Sequence, residues 1–225
     1  MKLTYFGQSC VLVDLGDAQL LFDPFISGNP LAKAIDVGSI PATHVLLSHG
    51  HGDHVGDAEA ILKRTGAMLV SNAEICTWYG KKGITNMNPM NIGGQVDLGA
   101  FRVKSVMAQH SSTMPDGASG GAPGGFVVFT KEGSFHHAGD TGLMLDMQLL
   151  KRHALRFAIL PIGDNYTMGI DDAVEAAGYM GANTVIGMHY DTFPAITINT
   201  DAAKNAFKAA GITLLLPAIG ETITL

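Results

Sequence analysis

The segment Ser48-His49-Gly50-His51-Gly52-Asp53-His54 constrains this chain more than any other part of it. Three histidines and a carboxylate crowd into one short stretch directly after the apolar run Val45-Leu46-Leu47, which reads as a strand. The interleaved glycines let the backbone turn tightly, so the four side chains can converge from a loop at a strand's end. Neutral imidazole and ionised carboxylate are the ligands that borderline divalent metals such as Zn²⁺ favour. A His-rich surface loop is the competing interpretation, and the regular alternation of candidate ligands with glycine argues against it. The internal position excludes a purification tag.

The surrounding pattern supplies a scaffold for such a loop. Lys2 to Phe6, Cys10 to Leu15 and Gln19 to Phe22 are short runs rich in Leu, Val and aromatics, broken at Gly7 and at Gly16-Asp17, and read as an antiparallel meander. A turn-rich connection from Asp23-Pro24 to Pro41 follows, with room for one short helix. After Thr43 short strands alternate with helical segments. His44 to Ser48 leads into Asp57 to Lys63, Arg156 to Pro161 into Asp171 to Met180, and Thr184 to Met188 into Asp201 to Ala209; strands Thr213 to Leu216 and Thr222 to Leu225 close the chain. This order predicts an α/β protein with sheets covered by helices; periodicity alone leaves a three-layer open sheet as the alternative. A length of 225 residues, 47% of them hydrophobic, suits one large domain spanning 1–225.

The pattern H-x-H-x-D-H, here His49, His51, Asp53 and His54, resembles the signature of the metallo-β-lactamase superfamily. The likeness extends through Thr4-Tyr5-Phe6-Gly7, Asp23-Pro24, His110-Ser111-Ser112, Ala138-Gly139-Asp140-Thr141-Gly142, the block from Leu160 to Gly169, and Met188-His189-Tyr190. The later blocks resemble metal-dependent hydrolases related to the ascorbate-phosphate lactonases. The resemblance implies a four-layer αββα sandwich. It also implies two ions, one held by His49, His51 and His110, the other by Asp53, His54 and His189, with Asp140 bridging. Zn²⁺ is the first expectation; Mn, Fe and Ni suit the same ligands.

Asp23 matches an acidic residue of the superfamily that accepts a ligand histidine's second N–H and so fixes its tautomer. His44, His136, His137 and His153 match no ligand position. His44 and His153 read as surface or partly buried groups, and His137 is a candidate for a supporting contact to the ligands. Related sequences usually carry His where Gln8 stands, a departure that bears on substrate preference if the usual His touches substrate or a neighbouring loop. Asn165, Tyr166 and Tyr190 are candidate substrate contacts, with a turn-forming role the alternative for Asn165 and a packing role the alternative for Tyr166. The Ser- and Gly-rich run 111–125 is expected to be a mobile cover, tethered at His110.

Two ions sharing a water would lower its pKa towards about 7 and supply a hydroxide nucleophile, with Asp53 and Asp140 as the catalytic carboxylates. Ser9, Ser48 and Cys10 have no visible acid–base dyad to activate them. A formal charge of −6 with scattered Lys and Arg disfavours nucleic acid and favours a small-molecule substrate, an ester or lactone ahead of a phosphodiester. A non-catalytic metal-binding module is the alternative from another class, and the complete ligand set argues against it. No run is long and apolar enough for a membrane span. The absence of a signal sequence points to the cytoplasm, where Cys10 and Cys76 would stay reduced. A homo-oligomer is compatible with the resemblance.

Overall fold

The computed structural model describes residues 1–225. Its first sheet contains β1 (Lys2–Gly7), β2 (Cys10–Asp14), β3 (Gln19–Phe22), β4 (His44–Leu46), β5 (Met68–Asn72), β6 (Met87–Met90) and, from the far end of the chain, β14 (Thr222–Thr224). The second contains β7 (Gln95–Asp97), β8 (Arg102–Met107), β9 (Gly124–Thr130), β10 (Gly133–His137), β11 (Leu155–Pro161), β12 (Thr184–Met188) and β13 (Thr213–Leu215). The strand orders are β14-β1-β2-β3-β4-β5-β6 and β13-β12-β11-β10-β9-β8-β7.

The two sheets repeat one design. In the first, the joins from β14 to β3 are antiparallel and those from β3 to β6 parallel. In the second, the joins from β7 to β10 are antiparallel and those from β10 to β13 parallel. Parallel neighbours need crossover connections, and these crossovers carry the helices. They are α1 (Gly52–Val55), α2 (Ala58–Thr65), α3 (Ala73–Gly80), α4 (Ile170–Met180) and α5 (Thr200–Ala209), together with a 3-10 helix over Leu145–His153.

Alternation along the strands sorts side chains into two cores. Val11, Val13, Leu20, Phe22, Leu46 and Val70 point between the sheets, where Phe22 meets Phe126, Phe135 and the ring of His137. Their neighbours Cys10, Leu12, Leu21, Val45, Leu47 and Leu69 point outward and pack against Ile61, Leu62, Ile75, Cys76 and Tyr79 of α2 and α3. Strands buried on both faces read as continuous apolar runs, as Val45-Leu46-Leu47 does. On the far side α4 buries Ala173, Ala176, Ala177 and Met180, the i, i+3, i+4, i+7 face of a helix lying close on its sheet. The result is the four-layer αββα sandwich, and the open-sheet alternative is excluded because the two sheets share a core. Both cysteines are free and buried in the outer core.

Several elements differ from the sequence expectation. The closing strands part company, β13 extending the second sheet and β14 the first. The segment 64–100, where apolar periodicity is weak, contains β5, α3, β6 and β7. The Leu145–His153 helix also escapes the pattern, because Leu145 and Leu149 face solvent and blur its apolar stripe. No helix is long and apolar enough to cross a membrane.

Candidate metal centre

Every residue singled out as a ligand sits shortly after a strand, in a loop or in the short helix α1. His49 and His51 follow β4, Asp53 and His54 lie in α1, His110 follows β8, Asp140 follows β10 and His189 follows β12. Tight backbone geometry makes this convergence feasible. Gly139 has φ +62, and a Cβ there would lie 2.7 Å from Ser48 Cβ and 2.8 Å from the Gly124 carbonyl. A Cβ on Gly50 would press to 2.6 Å from Met114 Sδ. Gly139→Ala should therefore destabilise the protein by about 2 kcal/mol or more, combining left-handed strain with overpacking. Thermal or urea denaturation checks this, and an unchanged midpoint would mean that the turn relaxes freely.

The seven side chains form two groups, His49, His51 and His110 in one and Asp53, His54, Asp140 and His189 in the other; within each, the ligand atoms lie within 4.8 Å of one another. Asp140 Oδ2 joins the groups. It lies 3.0 Å from His189 Nε2, 3.3 Å from His54 Nε2, 3.6 Å from His110 Nε2 and 4.0 Å from His49 Nε2. Asp53 Oδ2 is 3.6 Å from both His54 Nε2 and His189 Nε2, and His49 Nε2 is 3.0 Å from His51 Nδ1. Bonds of about 2.1 Å to a tetrahedral ion separate its ligands by about 3.4 Å, a value that the observed spacings of 3.0 to 4.0 Å bracket. His54 Nε2 and Asp140 Oδ1 are buried with no hydrogen-bond partner, as expected of atoms reserved for a metal.

Asp23 sets the tautomers. Wholly buried at φ +41, it accepts the Ser48 amide at 2.8 Å, the Ser48 hydroxyl at 2.6 Å and His54 Nδ1–H at 2.9 Å. The Ser48 oxygen, having given its proton to Asp23, accepts from His49 Nδ1 at 2.9 Å. Both imidazoles thus carry their proton on Nδ1 and turn Nε2 towards the cluster.

The electrostatics divide along the same line. Burial lowers the pKa values of His49, His51 and His110, leaving neutral imidazoles in the first group. In the second group, burial opposes charge on His189, yet Asp140 and Asp53 lift it to about 9. Burial likewise opposes charge on His54, where Asp140 and Asp23 win and raise it. Asp140 and Asp53 are themselves held well below the usual carboxylate range, burial being outweighed by the neighbouring imidazoles. A field that draws protons onto two buried imidazoles is one that attracts cations.

The ligand atoms open into a cavity of about 670 Å³, lined also by Phe25, Ser111, Tyr166 and Phe193. Of the expected substrate contacts only Tyr166, 56% exposed, lies on this wall. Asn165 turns into a neighbouring hollow with Ile162, Ala195 and Asn199, its φ of +55 marking a turn residue. Tyr190 stacks on Tyr5 at 6.4 Å, and burial pushes its hydroxyl up to about 12. Neither residue lies on the wall of this cavity.

The run 111–125 is clamped, contrary to the expected mobile cover. Met114 is buried, Gly120 N–H donates to Ser112 O, Gly124 N–H to Ser48 O, and Asn72 Nδ2 to Gly120 O. Only Ser111 of this run reaches the cavity. His137 touches no ligand side chain; its Nε2 donates to Ser9 O at 3.1 Å and its Nδ1 accepts from Gly139 N–H at 3.2 Å. His44 and His153 are half-buried against Phe101 and Phe129. His136 is buried and donates to Phe126 O.

This fold and this donor set define a metallohydrolase of the β-lactamase type, and the comparisons agree. The Beta-lactamase superfamily domain matches residues 18–190. A UPF0173 metal-dependent hydrolase of Christiangramia forsetii is 47% identical and one of Flavobacterium johnsoniae 46%, each over the full length of both chains. A solved metallo hydrolase from the archaeon Ignicoccus hospitalis is 35% identical with a TM-score of 0.91, covering 100% of this chain and 97% of its own. The chain belongs to the UPF0173 metal-dependent hydrolase family of the β-lactamase superfamily.

Proposed function

We propose that the enzyme hydrolyses a small ester or lactone at a two-ion site held by His49, His51 and His110 on one side and Asp53, His54 and His189 on the other, with Asp140 between them. The observation that carries the reading is the position of Asp140 Oδ2, within 4.0 Å of imidazole nitrogens from both groups. Two divalent ions held by these residues, Zn²⁺ first among the candidates, would lower the pKa of a water and polarise the oxygen under attack.

The chain's own residues do the rest. Asp23 and Ser48 orient His54 and His49. Asp140 places a negative charge between the groups. Asp53 and Asp140 both reach the cavity, Asp53 being the more exposed of the two at 25% against 3%. Phe25, Phe193 and Tyr166 form an aromatic mouth, and no Lys or Arg lines the cavity. With no Lys or Arg on the wall, a charged substrate could be met only by the ions, while the aromatic mouth suits one with an apolar portion.

Chelation should abolish hydrolysis, and one divalent metal should restore it. Elemental analysis, followed by rate measurements over lactones, phosphodiesters and thioesters, tests both halves of the reading. A full rate after verified metal removal would overturn the metal-dependent mechanism; faster turnover of phosphodiesters than of lactones would overturn the substrate class.

A further inference from the structure

We infer that Gln8 is a positioning residue that aligns Asp53 and His189 in one half of the metal centre. It is wholly buried and occupies the tight turn between β1 and β2 at φ +52, a conformation that L residues with long side chains seldom adopt. Strain of that kind persists where the surroundings over-determine it. Here four contacts do so. Gln8 Nε2 donates to Asp53 Oδ2 at 2.8 Å, and the Gln8 carbonyl accepts His189 N–H at 2.9 Å and the Tyr5 hydroxyl at 3.1 Å. The next carbonyl, that of Ser9, accepts His137 Nε2–H, and His137 in turn holds the Gly139 amide beside Asp140.

One turn of the first sheet therefore grips three ligand-bearing segments, two of them from the second sheet. The side chain is matched to its task. An ionised carboxylate only accepts, so the amide must present its N–H₂ to Asp53. A neutral donor orients Asp53 without cancelling the charge that a cation needs, whereas a cationic side chain would compete with the ion. Asparagine would fall short by one methylene, about 1.5 Å. The departure from the usual His at this position thus bears on a metal ligand, and Gln8 lines no part of the cavity wall.

This inference rests on the two-ion reading, and the test separates them. Zn²⁺ alone is titrated into metal-free wild type, Gln8→Asn and Gln8→Glu against a chromophoric chelator, with melting of each metal-free protein recorded alongside. Asparagine tolerates the left-handed backbone well, so Gln8→Asn withdraws the donor without disturbing the turn. Gln8→Glu removes the donor and sets a second carboxylate against Asp53. In Gln8→Asn one Zn²⁺ should bind about 10- to 100-fold more weakly, the range expected when a ligand loses its supporting hydrogen bond. The other ion should bind within about two-fold of wild type, with metal-free melting unchanged. Gln8→Glu should weaken the same ion at least as much. Two ions bound by Gln8→Asn at wild-type affinity, or equal loss of both, overturns the inference. Fewer than two ions in wild type overturns the two-ion reading and the inference with it.

Discussion

Asp140→Asn should cost the protein at least one bound ion and lower turnover by on the order of 100-fold or more, while its metal-free fold is largely preserved. Asparagine keeps the volume and the turn but loses the charge. Oδ2 of Asp140 approaches imidazoles of both groups, and Oδ1 has no protein partner, so no other atom in the site is placed to take over. In the proposed two-ion site, removing this negative charge takes away the attraction that offsets repulsion between the ions, an effect that burial strengthens. Metal stoichiometry by mass spectrometry and steady-state rates make the measurement, with His153→Ala as the control. That imidazole packs on Phe129, away from every ligand, and its loss should leave both readouts near wild type. Two ions at wild-type affinity in Asp140→Asn would reduce Asp140 to a structural turn residue.

Asp23→Asn should act on stability and on metal binding together. Its three accepted hydrogen bonds are buried and charge-assisted, and the amide would turn one N–H₂ towards groups that are themselves donors. Breaking such a network should cost about 3–5 kcal/mol of unfolding free energy. Because His54 would lose the acceptor that keeps its proton on Nδ1, metal affinity should fall about 10- to 100-fold as well. The backbone is a fair control, since asparagine accepts φ +41 as readily as aspartate does. Urea unfolding of the metal-free protein gives the first number and chelator competition the second. A loss below about 1 kcal/mol would show that Ser48 and His54 find other partners.

Much of this protein could be read along the chain. The continuous apolar runs of Cys10–Asp14 and Gln19–Phe22, and the small-residue stripe of Ile170–Met180, reflect which faces must leave water, a property of neighbouring residues in sequence. The run from His49 to His54 announces metal chemistry because its ligands are adjacent. Asp23 was legible only through resemblance: nothing near it hints that Ser48 and His54 lie 25 and 31 residues away yet within hydrogen-bonding reach. Asn165 and Tyr190 carry polar groups suited to substrate, and only the packed loops show that Asn165 faces a neighbouring hollow and that Tyr190 stacks on Tyr5. The run 111–125 has the composition of a flexible segment, and composition does not register that Met114 fills a hole beside Gly50 or that Asn72 captures two of its carbonyls.

The sequence by itself determined the local choices: strand and helix periodicity, tight turns at glycine, and donor atoms of the type that divalent cations prefer. Each follows from the covalent neighbourhood, where side-chain chemistry and backbone sterics act over a few residues. Only the tertiary structure decided which atoms share a point in space. It brought Asp140 Oδ2 between two imidazole groups, set Asp23 behind His54, placed Gln8 against Asp53, and lined the cavity with Phe25 and Phe193 but with no Lys or Arg. Those outcomes depend on how two sheets pack and where their loops meet. Burial makes them consequential, because in a site shielded from water an unpaired charge or donor is costly and every partner must come from a distant part of the chain.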